Sequence, residues 1–153
     1  MTKLAEALIL RADLQKRFAQ IQTRLVRNAK VQEGEQPAEN PQTLLVELER
    51  VADQLTAVIQ QINQTNSVTQ LEDGRTLSDA LAERDVLKMK HNAYNSLAQN
   101  AGELGFRYGR TEIKILSTVD VADVQNQADT YAQTHRELDA QIQALNWQTD
   151  LIE

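Results

Sequence analysis

Asn63, Asn66, Arg75, Arg84 and Lys114 are the residues whose types could be gathered into a binding site. Two guanidiniums and an ammonium carry fixed positive charge, and side-chain amides complete a hydrogen-bonding shell. Such a set suits a phosphate or a carboxylate, so a small anionic ligand is the expected partner. Arg84, like Arg11, also interrupts an otherwise apolar helical seam. A guanidinium carried inward needs a carboxylate beside it. Asp13, Asp79, Glu83 and Asp85 are near in sequence, so the structural alternative is an Arg–carboxylate pair that fixes helix register.

The remaining reactive types are thinner. His91 and His135 fall on helical seams, but neither has a Glu three residues before it, as carboxylate-bridged helical metal sites require. No metal and no cofactor is expected. Nucleophile elbows, glycine-rich phosphate loops and zinc signatures are absent from the sequence, and no residue is singled out as catalytic. Arg107, Arg110 and Lys114, interleaved with Phe106 and Tyr108, are the one basic aromatic run. That pattern can stack on single strands, but one short run in a chain of net charge −6 reads as a solvated loop. Nucleic acid is not expected as a partner.

Four amphipathic stretches would position these residues. The first spans about residues 4–30, with Leu4, Ala7, Arg11, Leu14, Phe18, Ile21, Leu25 and Asn28 alternating three and four apart, an apolar seam that Arg11 and Asn28 interrupt. A polar connector follows, and Asn40 before Pro41 is a cap-and-start pair for a second helix over about residues 41–62. Its seam of Leu44, Leu48, Val51, Leu55, Val58 and Ile62 is uninterrupted. The helical spacing then stops, and residues 63–79 read as the reversal of the chain. Asp73-Gly74 is a two-residue hairpin signal with Val68–Glu72 and Arg75–Leu77 as short strands. The alternative is an irregular loop in which Thr76 caps the third helix.

The third helix runs from about Leu77 to Glu103 on a small, polar seam that includes Arg84, His91 and Tyr94. Beyond it the alternation in Thr111-Glu-Ile-Lys-Ile115 resembles a strand, so a small sheet joining residues 67–77 and 110–117 is expected. Asp120 caps a fourth helix that continues to about Leu151, with more than four heptads in register. Trp147 and Leu151 share a second face of it, available to the core or to another subunit.

The fold class is therefore mainly α, a single domain of 153 residues with four long helices arranged as two antiparallel helical hairpins. With no cysteine, disulfides and thiolate metal sites are excluded. No apolar run approaches the ~20 residues that span a bilayer, and the short Ala7-Leu-Ile-Leu10 run is no export signal. A cytoplasmic location is expected and a membrane partner is not. This architecture points first to a non-enzymatic, self-associating helical protein, a homo-oligomer. The second expectation is a small-anion or phosphate-ligand-binding protein, or an enzyme acting on such a ligand, built on the block from Asn63 to Asp85.

The chain also resembles the septicolysin-like family of small bacterial proteins, nearly end to end. The resemblance is carried by Leu10-Arg-Ala-Asp-Leu-Gln-Lys-Arg17, Ile62-Asn-Gln-Thr-Asn66, Leu71-Glu-Asp-Gly-Arg-Thr-Leu77 and Asp79-Ala-Leu-Ala-Glu-Arg-Asp85. Glu112-Ile-Lys-Ile-Leu116 and Leu145-Asn-Trp147 continue it. It implies a third function, a membrane-active cytolysin, and supplies no catalytic residues.

Overall fold

A computed structural model of the protein describes residues 1–103 and 113–153. Four helices account for most of them: α1 (Leu4–Arg27), α2 (Pro41–Val68), α3 (Leu77–Gly102) and α4 (Val121–Gln148). Three of the starts are set by the predicted caps. The Asn40 side chain accepts from the Gln42 N–H at 2.9 Å with Pro41 at the first helical position. The Thr76 hydroxyl accepts from Asp79 N–H at 3.1 Å, and Asp120 does the same for Asp123 at 3.1 Å. Each satisfies one of the amide donors that a helix start leaves without an intrahelical partner.

The chain forms two compact units, Met1–Gln70 with Ala144–Glu153, and Leu71–Gln143. In the first, α1 and α2 pack on the seams read from sequence, burying Leu4, Ala7, Leu14 and Ile21 against Leu44, Val51, Val58 and Ile62. Each large side chain buried this way contributes about 1.5–3 kcal/mol. The pairing is antiparallel. Near the α1 C-terminus, Asn28 accepts from Glu39 N–H, just before α2 begins. Near its N-terminus, the Leu4 N–H donates to Thr149 O, while Ile152 N–H reaches Thr65 in the last turns of α2.

In the second unit, α3 pairs with residues 121–143 of α4, also antiparallel. Moving up α3, Arg84 bonds Asp139, His91 bonds the Ala128 carbonyl, Tyr94 stacks on Tyr131, and Gly102 lies by Val121. From Arg84 to Gly102 the partners run from Asp139 back to Val121, opposite in direction to α3. Two antiparallel helical hairpins are thus observed.

The expected small sheet is not. Among the described residues no strand forms, and residues 113–117 have no regular secondary structure; residues 110–112 lie outside the described ones. The Asp73-Gly74 signal does reverse the chain, but through a three-residue loop. Leu71 N–H donates to Arg75 O at 2.9 Å, Gly74 N–H donates to Leu71 O at 3.0 Å, and Gly74 takes φ +90°. That is the three-residue hairpin loop closed by a left-handed glycine. Its flanks cannot extend as strands because helices claim them: α2 holds Val68, and the Thr76 cap commits Leu77 to α3.

The second correction concerns α2, which runs six residues past Ile62. Asn63 and Asn66 are therefore helical and not part of the reversal. Thr65 accounts for this. It is 1% exposed; its hydroxyl donates to Gln61 O at 2.8 Å and accepts from Ile152 N–H at 3.0 Å. A contact from the far end of the chain holds a stretch whose own residue types favour turns. At that far end α4 stops at Gln148, short of Leu151, because residues 149–151 run beside residues 2–4. Leu151 N–H donates to Thr2 O at 2.8 Å, and Lys3 Nζ meets Asp150 Oδ1 at 2.7 Å. No described helix is long and apolar enough to cross a membrane.

Candidate functional site

An open groove of about 670 Å³ lies between α3 and α4 in the second unit. Val86, Leu87 and Leu138 supply its apolar floor, with Arg75, Glu83 and Lys90 on the α3 side. Lys90 Nζ stands 5.5 Å from the Tyr131 ring centroid, within cation–π range. Tyr131 in turn stacks on Tyr94, with ring centroids 5.2 Å apart.

Arg75 lies on this groove, but its guanidinium is already engaged. Its Nε donates to Asp73 Oδ2 at 2.8 Å, Nη2 reaches the same oxygen at 2.6 Å, and Nη1 pairs with Glu83. Hydrogen bonding to Asp73, then to Glu83, raises the Arg75 pKa above its ordinary value. The same contact lowers Asp73 below the usual carboxylate range. An incoming anion has to compete with these two carboxylates. Arg84 is likewise paired, at 3.1 Å with Asp139 across the helix pair and at 3.3 Å with Asp85. This is the register-fixing pair that its seam position suggests, with a cross-helix partner.

Among the other candidate residues, Lys114 is exposed in the segment without regular structure and is not a groove-lining residue. Asn63 and Asn66 belong to the first unit, on the last turns of α2. The structure thus puts Arg75 on a groove wall and Arg84 in an interhelical ion pair. It adds Lys90 and Glu83 to the groove, residues that sequence reasoning misses as site residues because they fall off the α3 seam. The basic aromatic run from Phe106 to Arg110 lies outside the described residues.

His91 has a structural role. Its Nδ1 is 2.9 Å from the Ala128 carbonyl oxygen. A carbonyl can only accept, so Nδ1 carries the proton. Among the described residues no group of three or more His, Cys, Asp or Glu side chains is placed to hold a metal ion.

The second feature is a stripe on α3 that adjoins the groove and shares Ala82 and Val86 with it. Ala82, Val86, Met89, Ala93 and Leu97 follow one another four, three, four and four residues apart, and all but Ala82 and Ala93 are large apolar side chains open to solvent. Val86 is 48%, Met89 68% and Leu97 43% accessible. At about 100° per residue the five form one stripe, well round the helix from the seam that buries Leu77, Ala80 and Ala98. The spacing is visible in the sequence, but the heavier seams of α2 and α4 mask it. Trp147, expected on a second face of α4, is also exposed, whereas Leu151 is buried beyond the helix end.

The model of a family of unknown function, DUF6847, matches residues 11–151. The chain belongs to that family. Its structure is similar to the crystal structure of a functionally unknown conserved protein from Corynebacterium diphtheriae. The two are 44% identical, superpose with a TM-score of 0.93, and cover 99% of each other's chains. No curated protein matches the sequence. This DUF6847 chain and the Corynebacterium protein thus share the four-helix architecture at substantial identity, and the geometry of each site has to speak for its function.

Proposed function

We propose that this DUF6847 member is a non-enzymatic helical protein that self-associates, its specific surface lying on the second unit. The observation that supports it is the outward apolar stripe on α3. Isolated surface apolar residues need no explanation, but five in helical register along one face are the pattern of a helix that packs on both sides. Sedimentation velocity across a micromolar to millimolar series tests this. Mass rising above that of the single chain supports association, and a strict monomer throughout removes it.

A small-anion site is the second reading, supported by the presence of Arg75 and Lys90 on one groove. Binding there displaces Asp73 or Glu83 from Arg75. A thermal-shift panel of inorganic phosphate, nucleotides and small carboxylates, repeated on Arg75→Ala and Arg84→Ala, is the test; no ligand-dependent shift in the wild type leaves the reading without support. Membrane lysis rests on the septicolysin-like resemblance alone, and release of dye from vesicles of varied composition tests it.

A further inference from the structure

We infer that the outward stripe of α3 is a self-complementary seam whose occupant is α3 of a second copy, running antiparallel. The inference rests on the self-association proposed above and adds its surface, orientation and register.

The stripe reads as a heptad seam with Ala82 and Met89 at one core position and Val86 and Ala93 at the other. Centre an antiparallel pair between Leu87 and Lys88. Val86 of each copy then meets Met89 of the other, and Ala82 meets Ala93. The large layers fall together at the centre and the small ones outside. Met89 is suited to the central position because its unbranched thioether adapts to the shape opposite.

Charge fixes the orientation. Glu83 and Lys90 are seven residues apart, on the same flank of the stripe, the flank that faces the groove. In an antiparallel pair, like flanks face each other, so Glu83 of one copy lies across from Lys90 of its partner, and the exchange occurs twice by symmetry. On the opposite flank Asp85 meets Asn92, a donor–acceptor match. A parallel pair instead sets Lys90 across from Asp85 and leaves Glu83 out of the exchange. Glu83 keeps a second carboxylate oxygen for the partner while it holds Arg75 in its own chain.

Charge reversal separates the outcomes. In sedimentation and native mass measurements on the full chain, Lys90→Glu alone and Glu83→Lys alone each oppose like charges twice, and each should raise the dissociation constant about tenfold. Mixed in equal amounts, the two variants should form a heterodimer at wild-type concentration, because every exchanged pair is again opposite in sign. Heterodimer recovery cannot come from misfolded chains. If Glu83→Lys dimerises as the wild type does, or if mixing restores nothing, the antiparallel α3 seam is overturned while self-association stands. If the wild type is monomeric throughout, both fall together.

Discussion

Ile152 donates its backbone N–H to the hydroxyl of Thr65, 87 residues earlier, at 3.0 Å. One buried side chain thereby extends α2 past its apolar seam and ties down the C-terminal residues of the same unit. Thr65→Val keeps the volume but removes both hydrogen bonds of the hydroxyl. It should cost about 1–3 kcal/mol in urea unfolding. Hydrogen exchange should show faster opening at Ile152 and at the amides of residues 65–69. Unchanged stability with unchanged exchange would mean that α2 is held by its own propensity.

Arg84 and Asp139 join α3 to α4 at 3.1 Å, with the arginine side chain three-quarters covered. A double-mutant cycle with Arg84→Met and Asp139→Asn should give a coupling of about 0.5–1 kcal/mol, at the upper end for surface pairs because of that cover. Coupling near zero would assign Arg84 to Asp85 alone, its neighbour at 3.3 Å.

The start of α3 depends on two residues of the turn before it. Thr76→Ala removes the hydroxyl that accepts from Asp79 and should cost about 1 kcal/mol. Gly74→Ala meets no steric obstacle, since the added methyl would point into open space, but it forces a side chain onto φ +90°. That should cost about 1 kcal/mol or more. Thermal melts of both variants read the two effects directly.

Acid should weaken the first unit through Asp150. Its hydrogen bond to Lys3, with the attraction of the same ammonium, holds its carboxyl below the ordinary range. A carboxyl with a lowered folded pKa contributes stability that is fully present above its unfolded value, near 4, and is lost as the pH falls below it. Asp150→Asn should therefore lower the urea midpoint at pH 7 and converge with the wild type at the acid end. Glu39, lowered by Arg24, titrates in the same sense, so the variant flattens the acid limb only in part. Salt should shrink the difference, because both side chains are exposed. A gap that persists in acid would trace to the Asn side chain itself.

Local chemistry makes the helix starts legible. Asn40, Thr76 and Asp120 cap because a short polar side chain at a helix entrance has one obvious use, and the adjacent apolar periodicity says which way the helix goes. The seams of α1, α2 and α4 are legible for the same reason. What escapes depends on partners distant in sequence. Thr65 looks like a turn residue until Ile152 is beside it, and α4 stops at Gln148 only because residues 149–151 find residues 2–4. For Arg84, the need of a carboxylate is readable, but Asp139, 55 residues on, is not. The α3 stripe is written in the sequence yet easily missed, since a helix with a weak inner seam and a second apolar face looks merely irregular when one seam is sought.

The side-by-side course of residues 2–4 and 149–151 bears on how the polypeptide can be rewired. With these two segments adjacent, a short Gly-Ser joint between residues 153 and 1 would close this stretch of backbone into a ring, and it could be opened in the exposed 31–36 connector without severing a helix. Such a permuted protein would carry α1 after α4 in chain order.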